Sequence, residues 1–255
     1  MAQKESQLSS KNMDEHLETP LAATGRAIAT QSLIAVFALV YLCELVFAVD
    51  HNLNFEPSVR TLAYLGGDIG MRVQFNGEYW RMFTAPLMHA GLLHIIMNSF
   101  VLLLAGTLVE RMLGWKWLLG LFAITALGGE IASLYLGAAN VVGVGASGGV
   151  MGVLAALFAI SGRLPGPEAS AMRTRALQFL IPSLVPIFYA SGTNVNYFAH
   201  AGGALAGLGL GFLLLKLWRQ DKPSPPFANA MAMAAFGFFA VAVYAIYPII
   251  KLRGL

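Results

Sequence analysis

The chain is predicted to be an all-α polytopic membrane protein with seven spans. Of its 255 residues, 57% are hydrophobic and only 11% are charged, against roughly 25% charged in a soluble domain. Its uncharged runs are long enough to cross a hydrocarbon core of about 30 Å, and the mean hydropathy is +0.67. The net charge of +3 lies in short loops between apolar runs rather than in a patch. Membrane topology therefore accounts for it, and no nucleic-acid partner is expected. A single cysteine, Cys43, excludes an internal disulfide and a multi-cysteine metal site. No cofactor and no metal are expected.

Residues 1–26 are polar, carry both signs of charge and show no apolar period, which reads as a cytoplasmic tail. The first apolar run starts near Ala27 and is too long for a signal peptide. Spans are expected at about 27–48, 94–109, 117–136, 147–162, 176–190, 198–215 and 227–250. Between the first two lies a long loop, 50–87, with seven charged residues and Trp80, expected to rest partly in the interface. Pro165 and Pro167 stop the fourth span, while Pro182 and Pro186 predict a kink in the fifth. A Pro-rich linker, 223–226, leads to the seventh.

Basic residues set the orientation. With the amino terminus inside, the inner segments hold Lys4, Lys11, Arg26, Arg111, Lys116, Arg163, Arg173, Arg175, Lys216, Arg219 and Lys222. Only Arg60, Arg72, Arg81, Lys251 and Arg253 fall outside. The cytoplasmic face therefore takes the amino terminus, although Lys251 and Arg253 fall on the wrong side for the seventh span. Glu44 and Glu130 lie within spans and require a polar partner or an interfacial position.

The rest of the chain is organised around residues 143–152, GVGASGGVMG, where Ser147 stands among five glycines as an uncharged loop turns into an apolar helix. Such a stretch serves close helix packing, or it presents a serine nucleophile beside bare backbone N–H groups that hold an oxyanion. Depth separates the two readings. From Ser147 to Arg163 and from His200 to Lys216 are 16 residues each, and from His94 to Arg111 are 17. At 1.5 Å per residue these are about 24–26 Å, slightly short of a full crossing. Three helices running inward thus present Ser147, His200 and His94 at one level, just below the outer surface, which favours a hydrolytic site. Asn98 shares a helix face with His94 at i,i+4.

HAGLLHIIMN with His89, His94 and Asn98, GASG with Ser147, and AHAGGALAG with His200 together resemble the rhomboid family of intramembrane serine proteases, as does the pair Trp80-Arg81. The resemblance covers about residues 27–215. It implies a six-helix core plus one C-terminal transmembrane helix: a tail over 1–26, a catalytic core over 27–217, and a linker with the seventh helix over 218–255. It also implies a Ser147–His200 dyad, with His94 and Asn98 stabilising the oxyanion. The implied partners are transmembrane protein substrates and the lipid bilayer, cleaved near the outer face, with no substrate-binding residue identified. Many bacterial members carry an aromatic residue four positions after the serine, stacked on the histidine, where this chain has Met151.

Two other functions fit parts of the chain. A seven-span transporter would use Glu44, Glu130 and the Pro-broken fifth span, and a rhomboid-like scaffold would bind client helices without catalysis. The expected location is the bacterial plasma membrane, with a eukaryotic secretory-pathway membrane as the alternative.

Overall fold

The structure, a computed structural model, describes residues 26–50, 55–164, 166–185, 195–219, 222 and 224–251. The expected N-terminal tail, Pro186 and most of the turn before the sixth span lie outside the described residues. The protein is an all-α multi-pass integral membrane protein. Five of its helices are long and apolar enough to cross a bilayer. These are α1 (Ile28–Val46), α5 (Leu92–Leu113), α6 (Trp115–Leu136), α9 (Tyr197–Leu217) and the first 18 residues of α10 (Ala228–Lys251). They coincide with the first, second, third, sixth and seventh expected spans.

At the centre stands the shorter α7 (Ser147–Ile160), extended by a 3₁₀ turn over Ser161–Arg163. Twelve of its 14 residues are buried, because glycine and alanine on every side let neighbouring helices close in. Gly203 and Gly207 of α9 face the carbonyls of Gly148 and Gly152 so closely that a methyl at either position would overlap the oxygen. The four-residue glycine period of α9 is thus a contact ridge against α7. At 1.5 Å per residue, 14 residues rise only about 21 Å. A helix that short reaches one face only if its other end lies inside the apolar layer.

The fifth expected span is corrected. Helix α8 runs over Gly166–Leu184, ten residues earlier than the pattern indicated. Arg173 and Arg175 therefore lie within the helix and not in an inner loop. Pro167 does not break it, since proline fits a first turn whose N–H has no intrahelical acceptor. The exposed arginines project from the helix surface, so charge did not mark its boundary.

The long loop is built, not extended. It folds into α2 (Val59–Leu65), β1 (Asp68–Ile69), α3 (Gly70–Asn76), α4 (Arg81–Thr84) and a 3₁₀ turn over Ala85–Leu87. Arg81 is its knot: Nη1 donates to Ala63 O at 2.8 Å and to Gly67 O at 2.9 Å, while Nε pairs with Glu78 at 2.5 Å. The guanidinium also lies 4.5 Å from the Trp80 ring centre. β1 pairs antiparallel with β2 (Val142–Gly143), Asp68 opposite Gly143. Gly145 N–H donates to Ala85 O at 3.0 Å. The loop thereby grips the strand that leads into Ser147.

Two carboxylates tie the bundle across its helices. Glu110 accepts from the Ala29 and Thr30 amides at 2.9 Å and from the Thr30 hydroxyl at 2.7 Å, satisfying N–H groups that the start of α1 cannot bond internally. Glu44, 1% exposed, accepts from the His89 amide at 3.1 and 3.3 Å. The His89 amide is the polar partner that a carboxyl group within a span requires.

Candidate active site

Ser147 is the first residue of α7, and the first helical bond back is Val150 N–H to Ala146 O at 2.9 Å. The N–H groups of Ser147, Gly148 and Gly149 therefore precede the helical ladder, where the helix dipole favours negative charge. Gly145 just before it has φ of +128°, a conformation that favours glycine.

His94, two residues into the first turn of α5, lies across this loop. A Cβ on Gly145 would meet His94 Cε1 at 2.6 Å, His94 Nε2 at 2.8 Å and Ser147 Oγ at 3.8 Å. The imidazole and the hydroxyl therefore share one small space, kept open by the missing side chain. The Ala90 amide points at His94 Nδ1 at 3.4 Å. An amide can only donate, so Nδ1 accepts and Nε2, on the serine side, carries the hydrogen. Asn98 is 6% exposed, and its Nδ2 is buried without a hydrogen-bond partner among the described residues. A buried amide donor left open is uncommon.

His200 comes from another helix, α9. The residue before it, Ala199, places its carbonyl against Gly148 and Gly129, with the added methyl of Gly148 at 3.3 Å. The glycine contact of α7 with α9 thus sets His200 beside the serine end of α7, and His94 and His200 lie close enough to interact electrostatically. Among the described residues no hydrogen bond joins Ser147 Oγ to His200. The His200 ring is 7% exposed and bonds instead through Nδ1 to Ser183 O, 2.7 Å away. Met151 is buried in the α7 core at 4% exposure. The aromatic neighbour of His200 is Tyr197, one turn earlier on its own helix, edge-on at 6.5 Å between ring centres.

His89 is fully buried, its ring 5.3 Å from Phe37 and 5.2 Å from His94. It stands behind His94 rather than at the serine. Glu130 meets the carboxyl group of Asp68 in β1. Burial raises the Asp68 carboxyl above its ordinary range, opposed by the hydrogen bond from Glu130 and by the nearby Arg81 guanidinium. Neither Asp68 nor Arg81 was singled out from sequence as a partner of the site. Only the tandem Trp80-Arg81 carried any signal.

Fold and site together define a polytopic membrane protein with a serine at the mouth of a buried central helix, faced by histidines from two other helices. The rhomboid domain family matches residues 76–217, more than half of the chain. The chain belongs to the rhomboid family. It is 34% identical over 161 residues to RHOMBOID-like protein 6, mitochondrial, of Arabidopsis thaliana, covering 62% of this chain and 51% of that protein. It is 26% identical over 218 residues to Rhomboid-like protease 1 of Toxoplasma gondii, covering 84% and 71%. A Bacillus subtilis relative, named provisionally as a rhomboid protease, is 33% identical over 144 residues, covering 55% and 70%. The chain spans about half the length of the Arabidopsis relatives that it matches.

Proposed function

We propose that the protein is an intramembrane serine endopeptidase that cleaves transmembrane substrates near the outer face of the membrane. Ser147 is the nucleophile and His200 the general base and acid. The observation that carries the reading is the convergence of His94 Nε2 and Ser147 Oγ on the bare α-carbon of Gly145. In this reading Ser147 Oγ attacks the scissile carbonyl carbon while its proton passes to His200, which later returns it to the leaving amine. The carbonyl oxygen gains negative charge beside His94 Nε2–H, Asn98 Nδ2–H and the open N–H groups at the start of α7. The tight Ser147–His200 hydrogen bond forms on substrate binding, as catalytic bonds in free enzymes often do.

The same reading divides the chain into a tail over 1–26, a six-helix catalytic core over 27–217, and a linker with a seventh transmembrane helix over 218–255. Helix α10 packs against α6: Trp117 Nε1 donates to Pro226 O at 2.9 Å, and Gly120 abuts Met231. The distribution of Lys and Arg supports a cytoplasmic amino terminus, and the bacterial plasma membrane is the location we assign.

The test uses the full chain in proteoliposomes with a single-span model substrate. Wild type should cleave it and should react with a fluorophosphonate at Ser147, while Ser147→Ala and His200→Ala should do neither and should melt as wild type does. Cleavage by Ser147→Ala at the wild-type rate overturns Ser147 as the nucleophile, and no cleavage by wild type favours a scaffold or transporter.

A further inference from the structure

We propose that the main-chain carbonyl of Ser183 is the third member of the site, the group that fixes the tautomer and orientation of the His200 ring. The proposal rests on the reading of Ser147 and His200 as nucleophile and base. A carbonyl oxygen can only accept, so the 2.7 Å contact assigns the hydrogen to Nδ1. A neutral ring then carries its lone pair on Nε2, the nitrogen left for the serine proton. In serine hydrolases with a full triad, a carboxylate makes this bond. A backbone carbonyl is an equally direct way of setting a histidine's tautomer.

Among the described residues this oxygen has no helical donor. Helix α8 spans Gly166–Leu184, so Ser183 O is among its last four carbonyls, which lack an intrahelical donor. Val185 N–H turns back to Ile181 O at 3.2 Å and does not compete for it. The acceptor also sits at the negative end of a 19-residue helix, where a positive charge is favoured. That is the charge His200 gains when it takes the proton from Ser147.

Among the described residues no side-chain carboxylate bonds to the His200 ring. Glu130 is engaged with Asp68, and Glu44 with the His89 amide. Tyr197 flanks the His200 ring edge-on. The base on α9 is therefore oriented by the end of α8, and displacement of that end would release the ring without disturbing Ser147. Ser183 is a positioning residue, acting through its backbone.

The first test reads the wild-type protein. Protein labelled with ¹⁵N-histidine is placed in lipid nanodiscs, and the His200 signals are assigned by difference from His200→Gln. His200 should be the Nδ1–H tautomer at pH values where the ring is neutral, and the Nε2–H tautomer overturns the proposal. In the second test Leu184 is replaced by its α-hydroxy acid, so that the Ser183 carbonyl becomes a weaker ester acceptor. We expect kcat to fall by about three- to tenfold with KM unchanged, and an Nε2–H population to emerge. The same ester exchange at Leu180, one turn earlier, should disturb the helix comparably and alter neither readout. Wild-type kcat and tautomer in the Leu184 ester overturn the proposal. Cleavage by Ser147→Ala would instead overturn the reading of Ser147 as nucleophile, while the tautomer continues to judge the carbonyl alone.

Discussion

The imidazole of His94 and the hydroxyl of Ser147 face the same bare α-carbon, that of Gly145. A methyl there would lie 2.8 Å from His94 Nε2 and 3.8 Å from Ser147 Oγ, on a backbone with φ of +128°. Gly145→Ala is therefore expected to push the ring away from the serine and to strain the loop. We expect cleavage to fall by roughly 10²-fold, the effect of a 1 Å misplacement of reacting groups, with the melting temperature lowered by only a few degrees. Unchanged turnover with Gly145→Ala would show that the shared space has no catalytic use.

Asn98 offers a buried Nδ2 with no hydrogen-bond partner among the described residues. Removing a donor that makes no hydrogen bond costs little stability. Asn98→Ala is expected to lower kcat by about 10²–10³-fold, as loss of an oxyanion donor does, while thermal stability stays near wild type. His94→Ala should reduce kcat similarly and also loosen the His89 ring stacked behind it. Equal loss of stability and no loss of kcat for Asn98→Ala would make the residue structural.

Asp68 and Glu130 join the long loop to α6 through a hydrogen bond between their carboxyl groups. Burial raises the folded-state pKa of Asp68, so the folded protein holds a proton that the unfolded chain has already released. The stabilisation is complete below the ordinary carboxyl range of about 4 and is lost as pH rises through the raised value. Melting temperature in detergent is expected to decline with rising pH in wild type. Glu130→Gln keeps a donor to Asp68 and removes the second titrating group, so its profile should be flatter. Asp68→Ala, which strands Glu130, should cost about 1–3 kcal/mol. A Glu130→Gln profile as steep as wild type would place the pH dependence elsewhere.

Depth and sidedness are open to chemical labelling, because Cys43 is the chain's only cysteine. In a Cys43→Ala background, Ser147→Cys should react slowly with a small membrane-impermeant thiol reagent added outside. Ala156→Cys is nine residues further along α7, about 13 Å deeper, at a position with 0% exposure, and should resist. Labelling of Ser147→Cys from the cytoplasmic face alone would invert the orientation. No labelling from either face, in a protein that melts normally, would mean that water does not reach the serine.

Hydropathy alone determined where the apolar helices lie, because a bilayer demands long uncharged runs and the composition supplies them. It also pointed to Ser147, His200, His94 and Asn98 as candidates, since a polar residue at the outer end of an apolar run is costly and therefore conspicuous. The rule erred at α8, where Arg173 and Arg175 are solvated from a helix surface and left the early turns looking like a loop. What the tertiary structure decided is which polar group meets which. Asp68 finds Glu130, Glu44 finds the His89 amide, and Ser183 O finds the His200 ring only after helices have settled in rotation about their axes. That rotation is set by glycine faces such as Gly203 against Gly148, whose fit depends on the shapes of two surfaces. Spacing along one chain records which residues share a face, but the facing partner belongs to another helix many residues away.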